Sequence, residues 1–361
     1  MFVIYSLNSL AGAQTILSRF ANFFSKKGHQ VSICFTTDEK VEFNLDSKIQ
    51  LFPYSHTEKS LLLPKKLNLP YQQVKHIASS IRTAQADIII SYISATNILS
   101  TIASKMTNTP IILAERSSYH RSLKDNYWKF LRRITYPLAT KVIVLTHEDQ
   151  PKYHYAKEVL VIPNPLILKN KHQNIERKKI ILGVGRLTTV KGFDMLIKAY
   201  SKLHTDEWKL LIVGEGEERE NLQALIDKLN LTQNVSLVGL TTDIEHYYKQ
   251  ASIFVLSSRS EGFPGVLCEA MGYGCPSIAF NCPTGPKEII QNNKNGLLIE
   301  ANNIEELYRK MSNLINNTSK RNELSKESKN ILTRLDMNRI GQKWENILEN
   351  IIKDSNKIGK K

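Results

Sequence analysis

Two carboxylates eight positions apart, Glu261 and Glu269, enclose a segment rich in glycine and proline. A strand pattern ends at Leu256 and a helix is predicted from about Gly265, so the segment precedes a helix N-terminus. Unpaired N–H groups at such a terminus bind phosphate. The flanking carboxylates could hold hydroxyls of a sugar and of a ribose on either side of a diphosphate. A solvated acidic pair is the alternative, and it leaves the small residues unexplained. The residues between the carboxylates include Gly262, Phe263, Gly265, Val266 and Leu267.

A second group, Gly-Val-Gly-Arg at 183–186 followed by Lys191 and Gly192, contains glycines where a predicted strand ends. Gly185 would let the backbone approach a ligand, and Arg186 and Lys191 would neutralise phosphate. A tight strand–helix connection without a ligand is the alternative interpretation.

Several chemistries are disfavoured by what these segments lack. Thr188 and Arg219 stand where Gly-x-Gly-x-x-Gly would need its third glycine, so a nicotinamide site is not indicated. The chain has no Walker phosphate loop, no Asp-x-Asp and no His-Glu-x-x-His, and no nucleophile–base pair can be recognised. We therefore expect no metal and no cofactor.

The charge of this 361-residue chain is strongly basic, at +15. Residues 1–160 hold 20 Lys and Arg against 11 Asp and Glu, a balance of +9. Such an excess favours nucleic acid, an anionic membrane surface or a phosphorylated substrate as partner, and for each basic cluster a solvated face is the alternative. A nucleic-acid-binding protein is a remote alternative, since helix-turn-helix, zinc-finger and RNA-recognition signatures are missing.

Apolar runs fall short of the ~20 residues of a membrane-spanning helix. Residues 1–14 are better explained by a buried strand than by a secretion signal, because no cation precedes the apolar run. Four scattered cysteines favour a reducing, cytoplasmic location.

Short apolar strand patterns alternate with amphipathic helical patterns along the chain, which predicts α/β domains with doubly wound parallel sheets. One series covers the first half, and a second begins near residue 179, after Pro-Asn-Pro at 163–165 and a polar stretch. After Asn302 only helices are predicted. We expect domains at 1–166 and 167–335, and a helix returning toward the first domain with a basic tail at 336–361.

The spacing of Glu261 and Glu269 resembles the Glu-x₇-Glu motif of retaining glycosyltransferases of family 4, which have the GT-B fold. The resemblance spans nearly the whole chain. Other segments similar to that family are 183–187 with Lys191 and Gly192, Gly-Glu-Gly at 214–216, Val-Gly at 238–239, Pro-Asn-Pro at 163–165, Gly-Pro-Lys-Glu at 285–288 and Asn-Gly-Leu-Leu at 295–298. The resemblance implies two Rossmann-like domains with a deep interdomain cleft and C-terminal helices crossing back to the first domain.

The resemblance also implies roles for individual residues. Arg186 and Lys191 would hold a donor diphosphate, Glu269 its ribose, and Glu261 the donor sugar; Glu261, Arg186 and Lys191 would be catalytic. Transfer would retain configuration by front-face attack, without a metal. The remaining donor contacts implied are Gly185, Gly214, Gly239, Leu240, Gly262, Phe263, Gly265, Val266 and Leu267.

The first domain would bind the acceptor, and it departs from the family at two places. Ala-Gly-Ala-Gln at 11–14 replaces Gly-Gly-x-Glu, and Glu115-Arg116 stands where many members have histidine. Whether Arg116 or His120 substitutes for that histidine stays open. The implied acceptor contacts are Gly12, Asn97, Glu115, Arg116 and His120.

Segments 91–97 and 128–137 look most like bacterial transferases that add a hexose or N-acetylhexosamine, such as N-acetylgalactosamine, to lipid-linked oligosaccharide or lipooligosaccharide. The implied partners are a nucleotide-sugar, with UDP expected, a phosphorylated lipid-linked acceptor and an anionic membrane surface, with no nucleic acid. We expect association with the inner face of the cytoplasmic membrane through basic residues at 65–82 and 121–133. A GT-B epimerase or phosphorylase is the alternative.

Overall fold

The computed structural model describes residues 1–7, 12–37, 43–54, 65–123, 125–169 and 177–358. Side chains at 65–67, 120–121 and 356–358 are outside this description. The chain divides into two compact units, one of Met1–Pro165 with Met337–Lys361 and one of Leu166–Asp336.

The first unit contains a seven-stranded parallel sheet in the order β3-β2-β1-β4-β5-β6-β7. Every residue of the strands Ile89–Tyr92 and Ile111–Ala114 is buried, because helices cover both faces of a parallel sheet. Its strands are β1 Phe2–Ile4, β2 Ser32–Phe35, β3 Gln50–Phe52, β4 Ile89–Tyr92, β5 Ile111–Ala114, β6 Lys141–Val144 and β7 Val159–Val161. Its helices before the second unit are α1 Gly12–Lys26, α2 Lys65–Thr83, α3 Ser94–Thr107, α4 Tyr119–Ser122 and α5 Asn126–Thr135, with 3₁₀ turns at Tyr136–Leu138 and Gln150–Tyr153.

The second unit contains a six-stranded parallel sheet in the order β10-β9-β8-β11-β12-β13. The strand order reverses between β8 and β11, which opens a crevice outside their carboxyl ends. Its strands are β8 Lys178–Val184, β9 Lys209–Val213, β10 Val235–Gly239, β11 Ala251–Leu256, β12 Ser277–Asn281 and β13 Leu297–Glu300. Its helices are α6 Phe193–Ser201, α7 Arg219–Lys228, α8 Ile244–Gln250, α9 Gly265–Gly272, α10 Pro286–Ile289, α11 Ile304–Asn316, α12 Thr318–Ser328 and α13 Ile331–Arg334, with a 3₁₀ turn at Thr189–Lys191.

The last helix, α14 (Met337–Ile358), belongs to the first unit. Its Trp344 is buried and packs on Phe20 of α1, with ring centroids 5.5 Å apart. The apolar side of this helix therefore completes the first unit's core.

Both units are Rossmann-like α/β structures, so the predicted fold class is confirmed. Among the described residues, no helix combines the length and apolar character needed to span a membrane.

Candidate active site

The crevice between β8 and β11 brings together the two predicted groups of the second unit. Lys191 follows β8 and Glu261 follows β11, and the Lys191 Nζ lies 2.6 Å from Glu261 Oε1. Ser258 Oγ donates to the same carboxylate oxygen at 2.6 Å, and Thr284 Oγ1 donates to the Glu261 carbonyl. Glu261 is buried, so this carboxylate is held in one orientation by two side-chain donors.

Lys191 sits on a turn that is fastened to the loop after β11. Ser257 Oγ donates to the Lys191 carbonyl at 3.0 Å. Arg259 donates to the Thr189 carbonyl at 2.5 Å and forms two 2.8 Å hydrogen bonds with the Asp194 carboxylate. These contacts fix the backbone of Lys191 and of its turn, and they thereby determine where the Lys191 ammonium lies.

The Asp194–Arg259 pair predicts a pH-dependent contribution to stability. Burial alone would raise the pKa of Asp194, but hydrogen bonding and attraction by Arg259 outweigh it, and the pKa is lowered. A lowered carboxylate pKa stabilises the fold above the unfolded pKa of about 3.9, and this contribution disappears as pH falls through the folded pKa. We expect Asp194→Asn to reduce the free energy of unfolding by about 0.5–1 kcal/mol at neutral pH, since both side chains are partly exposed.

Chemical denaturation at pH 7 and at pH 3 measures this effect. The deficit of Asp194→Asn should shrink at the lower pH. Asp227→Asn, at an exposed position on α7, is the matched control. An equal deficit at both pH values would contradict the proposed linkage.

Glu269 lies on α9, one turn after the helix begins at Gly265. The buried Tyr248 donates from its hydroxyl to Glu269 Oε2 at 3.0 Å. Burial, together with the adjacent carboxylate, raises the pKa of Tyr248 well above its ordinary value. The hydroxyl is therefore a permanent donor that orients Glu269.

The loops after β8, β9 and β10 meet at Gly214. Its N–H donates to the Gly239 carbonyl at 2.9 Å, and it lies so close to Gly185 that an added Cβ would be 2.0 Å from the Gly185 oxygen. Leu240, beside this junction, is 81% exposed. Arg186, in the neighbouring loop, is also exposed.

The N-terminus of α9 has Gly265 exposed at its first position, with open space around it. Gly265 and Val266 open the helix, where amides have no acceptor one turn earlier. The Leu267 amide donates to the Pro264 carbonyl at 3.1 Å, so it is already engaged inside the turn. Gly262 and Phe263 are half-buried just before the helix.

The predicted acceptor residues Asn97 and Glu115 of the first unit are buried. The Glu115 carboxylate accepts hydrogen bonds from Ser94 Oγ at 2.8 Å, from Asn97 Nδ2 at 3.1 Å and from the Tyr136 hydroxyl. These side chains tie α3 and the 3₁₀ turn after α5 to the end of β5.

Arg116 is half-buried and lies over the rings of Tyr92 and Trp344, at 4.8 and 5.6 Å. It donates to Asn164 Oδ1 at 3.0 Å. Arg116 thus connects the end of β5 to α14 and to the Pro-Asn-Pro segment.

Two other predicted acceptor residues occupy helix starts. Gly12 is exposed at the first position of α1, whereas Ala11 lies outside the described residues. His120 is in α4, and its side chain lies outside the description.

The basic segments expected at a membrane surface are described in part. Lys75, Arg82, Lys129 and Arg133 are exposed. The expectation was wrong for Arg132, which is buried and donates to Ser122 Oγ at 2.7 Å while lying 3.9 Å from the centre of the Tyr119 ring. Lys124 and the side chains of Lys65, Lys66 and Arg121 fall outside the described part.

Comparison with known proteins identifies the family. Residues 10–168 match Glycosyltransferase Family 4, and residues 167–331 match the glycosyl transferases group 1. An uncharacterized glycosyltransferase of Haemophilus influenzae is 32% identical over 358 residues, covering 96% of this chain and 99% of its own. This chain is a family 4 glycosyltransferase.

The glycosyltransferase is also similar to a relative named for a specific transfer and to a solved structure of the same fold. It is 26% identical over 357 residues to a Campylobacter jejuni protein named as the GalNAc-alpha-(1->4)-GalNAc-alpha-(1->3)-diNAcBac-PP-undecaprenol alpha-1,4-N-acetyl-D-galactosaminyltransferase, covering 97% of this chain and 98% of that protein. The crystal structure of Anabaena HepE in complex with UDP shares its fold, with a TM-score of 0.80, 18% identity and coverage of 97% of this chain and 99% of that chain. The GT-B fold is shown by this likeness.

The cysteines of the glycosyltransferase are poor nucleophiles. Burial, with the neighbouring Glu261 carboxylate, raises the pKa of Cys282 to about 12, and burial raises that of Cys275 to about 11. Within the described ranges, no group of three or more His, Cys, Asp or Glu side chains is placed to hold a metal ion.

Ser258, Tyr248 and Arg259 are side chains of the glycosyltransferase site that the sequence interpretation missed. Ser258 and Tyr248 donate to the predicted carboxylates Glu261 and Glu269, and Arg259 holds the turn that carries Lys191. The available signal was weak: Ser258 and Arg259 are polar residues directly after a buried strand, and Tyr248 is one of many tyrosines.

Proposed function

We propose that this glycosyltransferase moves a hexose or N-acetylhexosamine from a UDP-sugar to a lipid-linked oligosaccharide or lipooligosaccharide in bacterial surface glycan synthesis. The observation that carries the proposal is the Lys191–Glu261 pair in the crevice, at 2.6 Å. The relatives support the acceptor class, since two Campylobacter jejuni proteins named for undecaprenol-linked substrates match along 97% and 86% of this chain.

The paired cation and carboxylate suit the two ends of a nucleotide-sugar. A donor diphosphate would take Lys191, with Arg186 as a second cation, and a sugar hydroxyl would donate to Glu261 in place of the ammonium. Glu269, oriented by Tyr248, would accept from the ribose. Cations and helix N–H groups aimed at the diphosphate stabilise the charge that grows on it as it departs.

Retention of configuration is proposed to follow from attack on the face that the diphosphate leaves. The bond between the anomeric carbon and the phosphate oxygen breaks, and the acceptor oxygen bonds to that carbon on the same face. The acceptor proton passes to the departing phosphate. This route needs no protein nucleophile.

Transfer is proposed to be independent of a divalent metal, because Arg186 and Lys191 supply the positive charge. We expect turnover to change less than about twofold when EDTA is added, a change of under ~0.5 kcal/mol in the barrier. The measurement is an initial rate with and without chelator, using dialysed enzyme. Loss of activity in EDTA followed by recovery with Mg²⁺ or Mn²⁺ would contradict the proposal.

The function as a whole is tested in two steps. Thermal-shift measurements with UDP, GDP and their sugar conjugates identify the donor. Transfer to a polyprenyl-diphosphate oligosaccharide is then followed by mass spectrometry, and NMR of the product reports the anomeric configuration. Arg186→Ala should lose donor binding, whereas Arg309→Ala, an exposed arginine on α11, is the matched control. A β-linked product from an α-linked donor would overturn retention, and product formation from GDP-sugars alone would overturn the choice of UDP.

The exposed cations of the first unit suit an anionic lipid surface as well as the acceptor phosphates. Lys75, Arg82, Lys129 and Arg133 remain candidates for this role. Each well-placed cation adds about 1 kcal/mol to binding at such a surface. We propose association with the inner face of the cytoplasmic membrane on this basis.

A further inference from the structure

Helix α5 and the turn after it present an apolar stripe on the surface of the first unit. The stripe consists of Tyr127, Phe130, Ile134 and Leu138, whose exposures range from 43% to 61%. Large apolar side chains scattered singly on a surface are ordinary, whereas a contiguous group of this size indicates an interaction site. We call these four side chains the α5 stripe.

The spacing of the α5 stripe follows one face of a helix. Its members are separated by three, four and four positions, and Leu138 ends the 3₁₀ turn that continues α5. The opposite face is used by the protein, since Leu131 packs on the core and Arg132 is buried. The helix thus has one face that is used in folding and a second, apolar face that is exposed.

Cations flank the α5 stripe without any acidic partner on the same helix. Lys129 and Arg133 are exposed along one edge of it. From 126 to 147 the sequence contains no Asp or Glu. The face is therefore positive along α5, and Asp125 is the acidic N-cap at its start.

The neighbouring helix α3 extends the same surface. Its Ile102 and Met106 are exposed apolar side chains, and Lys105 lines a hollow together with Leu138 of the stripe. Arg82, at the end of α2, donates to the Met106 carbonyl at 3.2 Å. Helices α2 and α3 also lack acidic residues, so the patch combines apolar and cationic groups over three helices.

We propose that the α5 stripe inserts into the boundary between headgroups and acyl chains of an anionic bilayer. An apolar helix face bordered by Lys and Arg is the arrangement of helices that lie in the plane of a membrane surface. A second copy of this chain fits less well, because a two-fold contact would bring Lys129 and Arg133 near their own equivalents. This inference deepens the proposed membrane association and rests on it, but it assigns the binding to apolar insertion in addition to charge.

Vesicle sedimentation of the full chain, without donor or acceptor, tests the proposal independently of the transfer reaction. The vesicles contain equal parts phosphatidylglycerol and phosphatidylcholine, or phosphatidylcholine alone. We expect Phe130→Ser with Ile134→Ser to weaken partitioning at least about tenfold. Leu51→Ser, an exposed apolar position on β3 at the far edge of the sheet, is the matched control and should bind as the wild type does.

Vesicle binding at low and high salt separates the contribution of apolar insertion from that of electrostatic attraction. In about 1 M salt, where the Debye length is about 3 Å, the wild type should retain part of its binding and the double serine variant should retain none. Lys129→Gln with Arg133→Gln should show the opposite behaviour, with weaker binding at low salt and little further loss at high salt. Melting temperatures of all variants establish that they are folded.

The depth to which the α5 stripe inserts is measured by the tryptophan fluorescence of Phe130→Trp. Its emission should shift to the blue when the anionic vesicles are added and should be quenched by brominated lipid. Gln223→Trp, exposed on α7 of the other unit, should not respond.

Unchanged emission of Phe130→Trp, or wild-type binding by the double serine variant, would overturn the inference. A dimer in solution that the serine variant dissociates, with vesicle binding unaffected, would instead assign the stripe to a second copy. If vesicle binding fails while transfer to a lipid-linked acceptor succeeds, this inference and the proposed membrane association are lost, and the proposed transfer reaction stands.

Discussion

Replacing Glu261 with Gln is expected to lower turnover by about 10²–10³-fold, the range seen when one preorganised polar group of an active site is removed. The neutral amide can accept a hydrogen bond from Lys191 but forms no ion pair with it, and it offers no charged acceptor to the donor sugar. Binding of UDP should hold or become tighter, because Lys191 no longer has to leave a carboxylate 2.6 Å away to meet a phosphate. Initial rates and calorimetric titration with UDP measure the two effects separately.

The matched control for this substitution is Glu207→Gln. Glu207 forms an ion pair with Lys179 on the surface and has a side chain that is 72% exposed. The control should keep wild-type turnover and UDP affinity. Wild-type turnover of Glu261→Gln, or a loss of UDP binding that matches its loss of turnover, would contradict the role assigned to Glu261.

Replacing Gly214 with Ala is expected to destabilise the second unit by about 3 kcal/mol or more, since overpacking and backbone strain add together. Gly214 has φ +145°, a conformation that alanine rarely adopts. The new Cβ would also lie 2.0 Å from the Gly185 oxygen, and this backbone atom cannot move aside as a flexible side chain could. The loops that Gly214 joins must move apart to relieve the clash. We therefore expect the affinity for UDP to fall together with the free energy of unfolding. Chemical denaturation and UDP titration at a temperature where the variant is folded measure these effects.

Gly265→Ala is the matched control for Gly214→Ala. Space around Gly265 is open and its position is helical, so the free energy of unfolding should change by less than about 1 kcal/mol. UDP affinity of this control reports separately on close approach of a phosphate to α9. A Gly214→Ala protein as stable as the wild type would show that the close approach is not rigid.

Local features of the second unit were largely predictable. The strand ending at Leu256 and the helix beginning at Gly265 occur where the pattern placed them. Hydrophobic period and turn residues act over a few positions, and the carboxyl ends of parallel strands share one edge of a sheet. These two facts suffice to bring the loops with Lys191 and Glu261 to the same crevice.

The first unit was less predictable at the level of side chains. Arg132, Asn97 and Glu115 were expected at binding surfaces, and all three are buried. Glu115 is accompanied into the interior by hydrogen bonds from Ser94 and Tyr136, each 21 residues away, and Arg132 by its hydrogen bond to Ser122. A charged residue gives no local sign that a polar partner will accompany it into the interior.

Residue order along this chain was therefore enough to establish two α/β units, the family, and the motifs that meet at the edge of the second sheet. Tertiary structure alone decided which charges face each other: that Lys191 pairs with Glu261 seventy residues away, that Tyr248 orients Glu269, and that α5 keeps one apolar face exposed. The physical reason is the distance along the chain over which each property acts. Propensity and period are local properties, whereas burial and pairing depend on contacts between segments that only the folded chain brings together.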